Sequence, residues 1–229
     1  LRRKCVYVQI RNLCDTNSFR SDFEKNGFVY EKHLDIIHDL TLPKEIINSG
    51  ISKNKRGNIN KSINKGTCFT EIVNFRIFKS GVELIQKTYE KVNLPSPSNA
   101  FFYNSFIRLN KSGFLKAFGA FADNDLIGIR LELCYKGLIY DWYAGSDDRF
   151  KNRYPNDFLP YHILHWGNEN GFGKFDFGGA GKPDKLYCVI DHKLKFGGEL
   201  VCFGRYEKVN QPVIMLFSKT AFRLLQILK

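Results

Sequence analysis

Apolar and polar positions follow two different periods along the chain, and the switches between them divide it into elements. Residues 4–11 (KCVYVQIR) and 33–40 (HLDIIHDL) have strand character. Between them, residues 16–26 predict a short helix capped at Thr16 or Ser18 and ended by Gly27. Pro43 suits the first turn of another short helix. Ser52 and Gly66 bracket a polar helix or loop over 52–66, and residues 67–73 follow as a strand. A helix over 78–93 ends near Pro95, and Ser98 or Asn99 caps a further helix over 100–110. Three strand-like runs then come in quick succession: 112–122 (SGFLKAFGAFA), 125–135 (DLIGIRLELCY) and 138–144 (LIYDWYA). Asp123-Asn124 and Lys136-Gly137 separate them and suit tight hairpins, so the region predicts an antiparallel meander. A helix over 157–170, closed by Gly171, precedes a short strand over 173–177 and a Gly-rich turn over 178–181. A long strand over 198–208 and an apolar, basic helix over 211–228 complete the order. This succession predicts an α/β fold with a mixed, largely antiparallel sheet flanked by helices.

Composition narrows the class. An apolar fraction of 43% with 15% aromatics excludes a disordered chain. The 35 Lys and Arg exceed the 23 Asp and Glu, giving a net charge of +12. That balance suits polyanionic partners such as RNA, a nucleotide-linked precursor or an anionic membrane surface. The excess is clustered: every charged residue in 52–66 (SKNKRGNINKSINKG) is basic. Like charges at i, i+4 weaken an isolated helix, and a nearby polyanion would relieve them; a solvated basic face is the alternative. Cys5, Cys14, Cys68, Cys134, Cys188 and Cys202 show no C-x-x-C pair, which favours reduced thiols and a cytoplasmic setting. No signal peptide and no apolar run of membrane-spanning length is found. His162 and His165 stand at i, i+3 without an acid of suitable spacing, so no metal is expected. The chain begins at Leu1 and its one Met is Met215, which reads as a processed protein or part of a longer one.

Four segments carry recognisable order: Tyr140-Asp-Trp-Tyr-Ala-Gly-Ser146, Phe158-Leu-Pro-Tyr-His-Ile-Leu-His-Trp166, Gly171-Phe-Gly-Lys-Phe-Asp-Phe-Gly-Gly179 and His192-Lys-Leu-Lys-Phe-Gly-Gly-Glu-Leu200. Their succession resembles the second acyltransferase-like half of the FemAB-like family, the aminoacyltransferases that build peptidoglycan bridges, within the GNAT superfamily. It also resembles related acetyltransferases of bacterial polysaccharide loci. Arg56, Ile59, Lys61 and Gly66 match a further stretch of that family, with Lys61 one place off. The resemblance covers residues 30–208 and departs at His192, where the family carries Phe before the Lys. It implies a GNAT-like domain over 51–229, with residues 1–50 the C-terminal part or remnant of a first module. It also implies an aminoacyl group passed from tRNA to an amine of a nucleotide- or lipid-linked cell-envelope precursor. No tightly bound cofactor is implied. An acyl-CoA donor with a glycan or small-amine acceptor is the second reading, and a non-enzymatic RNA- or nucleotide-binding module the third.

An N-acyltransferase must bring an amine to an activated carbonyl, stabilise the oxyanion and remove a proton. In the GNAT arrangement two parallel strands part and free N–H groups meet the carbonyl. The strand over 138–145, ending at Gly145-Ser146, is the candidate for that edge. The following loop, Ser146 to Asp157, lacks the Gly-rich signature of CoA-using relatives but holds Arg149, Lys151 and Arg153. With Arg56, Lys61 and Ser146 these are candidate donor-binding residues, side-chain cations suiting a tRNA; a solvated loop is the alternative. Lys193 falls on the family's Phe-Lys position and is the first candidate for a catalytic cation, ahead of a surface role beside a bulge. Phe196 and Gly197 follow it as candidate substrate contacts. Asp176 stands at the site edge or serves structurally, accepting N–H bonds of the glycine turn. Asp141 and Tyr143 alternate with Tyr140 and Trp142, which places them on one face as candidate proton acceptors. The tail helix either packs on the sheet or rests on a membrane surface.

Overall fold

The computed structural model describes residues 5–184 and 188–227. Its strands are β1 (Tyr7–Arg11), β2 (Val29–Glu31), β3 (Asp35–Asp39), β4 (Cys68–Glu71), β5 (Leu115–Ala122), β6 (Asp125–Tyr135), β7 (Leu138–Ser146), β8 (Lys174–Gly179), β9 (Glu199–Val201) and β10 (Arg205–Val209). Its helices are α1 (Arg20–Lys25), α2 (Lys44–Gly50), α3 (Lys53–Asn64), α4 (Phe75–Lys91), α5 (Asn99–Leu109), α6 (Pro155–Glu169), α7 (Cys188–Leu194) and α8 (Pro212–Ile227). The described residues divide into two compact units. One runs up to Asp35 and includes Gly179–Ile190 and the chain from Leu200; the other comprises Ile36–Gly178 and Asp191–Glu199. Among the described residues no helix is long and apolar enough to cross a membrane.

The smaller unit centres on an antiparallel sheet in the order β1-β10-β2. Tyr206 of β10 is fully buried and stacks on Phe23 of α1 at 4.0 Å, with Tyr30 edge-on at 5.4 Å. The long strand expected over 198–208 is instead two short ones, β9 and β10, in different sheets. Gly204 breaks it: its φ is 72°, a conformation glycine adopts without strain, and a Cβ there would run into the Tyr30 ring. The tail forms α8, on which Val213, Leu216 and Phe217 are 67%, 66% and 71% exposed.

In the larger unit the sheet order is β4-β5-β6-β7-β8-β3-β9. The meander forms as expected, with β5, β6 and β7 antiparallel. Asp123 and Asn124 (φ 51° and 70°) and Lys136 and Gly137 (φ 46° and 78°) take consecutive left-handed conformations, which match the twist of the flanking strands. One face of the sheet packs against α4 and α5 through Phe78, Val82, Ile85, Phe102, Ile129 and Leu131. Asn74 and Ser98 cap those helices, Asn74 Oδ1 accepting from Arg76 N at 2.9 Å and Ser98 Oγ from Phe101 N at 3.3 Å. Residues 52–66 resolve as α3, capped by Ser52 as expected. On the other face lies α6, with α3 against it. Helix α6 is also the crossover between β7 and β8, which run parallel. Gly178 and Gly179, expected as a turn, complete β8.

Candidate active site

The β7–β8 ladder is short. It pairs Leu138 with Lys174, Ile139 with Phe175 and Tyr140 with Asp176, and then ends, although β7 continues to Ser146. The two parallel strands therefore part beyond Tyr140. A bulge lies at the same place. In the β6–β7 register Glu132 faces Asp141 and Leu131 faces Tyr143, so Trp142 is the extra residue. A bulge shifts the side-chain alternation by one. Asp141 therefore shares a face with Arg130 and Glu132, while Tyr143 joins Phe102 and Tyr89 on the α4–α5 face. The expectation that Asp141 and Tyr143 share one face is corrected by this inserted residue.

The face bearing Asp141 holds a buried set of charges. Arg130 pairs with Asp141, both side chains being less than a tenth exposed. Glu132, in register with Asp141, is fully buried, and neither carboxyl oxygen has a hydrogen-bond partner among the described residues. Burial first, and then Asp141, push the Glu132 carboxyl well above its ordinary range. On α7, Lys193 Nζ donates to Phe177 O at 2.6 Å and to Gly178 O at 3.3 Å. The Phe177 ring centre is 5.9 Å from the Arg130 guanidinium and 6.0 Å from Lys193 Nζ. Asp176 is 1% exposed, and its Oδ1 accepts from Gly178 N at 2.7 Å, the structural bond considered for it from sequence. Phe196 is fully buried against Phe177, and Gly197 lies against Gly50, so Phe196 offers no surface for a substrate contact.

A cleft of about 470 Å³ opens at the end of β7. Ser146, Asp147, Asp148 and Arg149 line it on one side and Leu84, Lys87, Thr88 and Lys91 of α4 on the other. A second hollow of about 320 Å³ shares Ser146 and Asn156 with it and reaches Lys151, Tyr154 and Pro155 at the start of α6. The N-terminal end of a helix carries partial positive charge, so this end of α6 favours an anion. Gly145 lets α4 lie directly on β7: a Cβ there would come within 2.5 Å of Leu84 C and 2.6 Å of Ile85 Cα. The Ser146 N–H in turn donates to Thr88 Oγ1 at 3.3 Å.

The loop cations are engaged within the protein. Arg149 pairs with Asp147, Lys151 with Asp148, and Arg153 with Asp123 and the Lys65 carbonyl. Arg149 and Lys151 are exposed, where such pairs are worth about 0–1 kcal/mol, so an arriving polyanion can displace them cheaply. Arg56 is turned away from the cleft. Its guanidinium caps the end of α2, donating to the Asn48, Ser49 and Ile51 carbonyls. Lys61 lies 5.8 Å from the Tyr154 ring centre. Sequence reading missed Lys87 and Lys91, and also Arg130, Glu132, Lys55 and Asp157. The i, i+4 pair on α4 was one signal. Arg130 and Glu132 inside the apolar run LIGIRLELCY were another, since an ionisable residue in a core strand needs a reason.

A family described as Acetyltransferase (GNAT) domain matches residues 53–186, and the chain belongs to it. It is thus an acyltransferase by family. Among solved structures, FemX is similar at a TM-score of 0.75 and 15% identity, covering 93% of this chain and 74% of that one. L-PGS from Bacillus licheniformis is similar at 0.61 and 17%, covering 91% and 70%. The likeness to FemX and L-PGS shows that the chain shares their fold. No curated protein sequence matches the chain.

Proposed function

We propose that the protein transfers an aminoacyl group from aminoacyl-tRNA to an amine of a peptidoglycan or other cell-envelope precursor, in the cytoplasm or at the membrane surface. The observation that carries this reading is the cleft at the end of β7, which continues past the end of the β7–β8 ladder. It is bordered by exposed cations on α4 and the following loop, yet that loop has no glycine with which to wrap a pyrophosphate closely. Side-chain cations suit a nucleic-acid backbone. FemX in the same fold is consistent with this class. An acyl-CoA donor is the second reading, supported by the family match.

In this mechanism the amine attacks the activated carbonyl at the parting of the strands. An N–C bond forms and the ester bond to the donor ribose breaks, or a thioester bond in the second reading. Lys193 supplies a fixed positive charge for the developing oxyanion. Asp141 receives the amine proton, which returns to the leaving oxygen or sulfur; Asp141 is preferred to Tyr143 because only Asp141 lies on the Arg130–Glu132 face. No acyl-enzyme forms. Mass spectrometry of protein with donor tests this, and an acylated adduct that turns over on adding amine would overturn it. Binding of tRNA that weakens steeply with salt supports the first donor. Tight CoA binding with no tRNA affinity would replace it with the second, and RNA binding without any transfer would favour a binding module.

A further inference from the structure

The residue before Lys193 is where the chain departs from the family it resembles, and its surroundings explain the departure. His192 on α7 is half-buried. Its Nδ1 lies 2.9 Å from Lys55 Nζ, and Lys55, on α3, is 7% exposed and also pairs with Asp157 on α6. The second Asp157 oxygen accepts from Asn58 Nδ2 at 2.8 Å, so α3 binds Asp157 through two side chains one turn apart. Lys55 Nζ is 5.0 Å from the Phe196 ring centre, and the His192 ring packs 5.6 Å from the same ring. An ammonium group only donates, so His192 Nδ1 must accept and the ring proton sits on Nε2. Burial first, and then the Lys55 charge, keep the ring neutral, its pKa lowered to about 4.

Consecutive residues on a helix point about 100° apart. His192 thus ties α7 to α3 and α6, while Lys193 ties it to the β8 carbonyls at the parting of the strands. We infer that Lys55, Asp157 and His192 form a positioning cluster that holds the Lys193 ammonium at the β8 end. This rests on the proposed role of Lys193 as the catalytic cation. The cluster replaces with a hydrogen bond what an apolar residue at position 192 would do by packing, and it couples the start of α6, beside the donor cleft, to the catalytic cation.

Two variants separate positioning from bulk packing. His192→Asn keeps an acceptor near the Nδ1 place; His192→Phe removes it and leaves ring volume. The Lys193 ammonium signal in nitrogen–proton correlation spectra of the whole chain should move or broaden in His192→Phe and be kept in His192→Asn. An unchanged signal in His192→Phe overturns the inference. Kinetics supply the second arm, with aminoacylated tRNA as donor and a nucleotide-linked peptide precursor as acceptor. His192→Phe should lower kcat ~10-fold at unchanged KM, with His192→Asn within ~3-fold of the parent protein. Adding Lys193→Ala to His192→Phe should give the rate of Lys193→Ala alone, because residues acting as one unit are not additive. Independent, multiplying losses overturn the inference. If the parent protein transfers nothing, the functional reading fails, and the spectra still decide whether the cluster positions Lys193.

Discussion

Asp141 and Tyr143 are two residues apart on one strand, yet they lie on opposite faces of the sheet, because Trp142 is an inserted bulge residue. The bulge coincides with the end of the β7–β8 ladder. If Asp141 is the proton acceptor, Asp141→Asn lowers kcat while Tyr143→Phe leaves it within ~2-fold, a ratio that steady-state kinetics reads directly. The reverse ranking would move the proton path to the α4–α5 face.

Lys193→Ala should lower transfer at least ~10²-fold while donor binding persists, the scale for removing one oxyanion-stabilising group. Transfer rates and donor titration on one preparation check both halves. An unchanged rate removes Lys193 from the mechanism.

Lys87 and Lys91 line the cleft from α4, and Lys91 pairs with exposed Asp148. Replacing both by Gln should weaken tRNA binding and reduce the slope of log affinity against log salt by about 2, since each phosphate left without its cation lowers the slope by about one. Equilibrium binding at several ionic strengths gives the slope.

Gly145→Ala places a Cβ 2.5–2.6 Å from the α4 backbone. Backbone cannot rotate away as a side chain can, so the variant should lose about 2–3 kcal/mol or more of stability. Urea unfolding measures it, and the displaced α4 should weaken donor binding as well.

His33, His38, His162 and His192 are each held near pH 4 against an ordinary 6.5, burial being the main cause. The unfolded chain therefore binds these protons first. Their contribution to stability is complete above 6.5 and is lost as pH falls through 4. His162 stacks on Phe69 at 5.1 Å, and its Nε2 has no hydrogen-bond partner among the described residues, so Phe can take its place. His162→Phe should flatten the acid side of the stability–pH curve by up to one proton and preserve stability at neutral pH. Denaturant melts between pH 4 and 7 test it. Glu132 runs the other way. Its raised pKa stabilises below 4.5 and that stability is lost as pH rises, so Glu132→Gln should gain on the parent protein above 4.5 and match it below.

Local chemistry made the meander legible. Asp123-Asn124 and Lys136-Gly137 can turn the chain without help from the rest of the fold, and Ser52 and Ser98 cap helices through their own neighbouring N–H groups. The segment Tyr140–Ser146 was likewise recognisable as part of a strand. What the sequence concealed were arrangements that need a second element. The run 198–208 reads as one strand, and only the crowding of Gly204 by Tyr30 breaks it. Arg56 reads as a free cation in a basic stretch, and only the end of α2 shows where its guanidinium goes.

The sequence by itself determined the meander, the helices that flank it, the basic balance and the GNAT family, because periodicity, caps and turns act between near neighbours. The tertiary structure alone decided which charges meet. Lys55 is 102 positions from Asp157 and 137 from His192, and the three come together because burying one charge requires another beside it. It also decided that a single extra residue, Trp142, separates Asp141 from Tyr143, since a bulge exists only relative to the neighbouring strand.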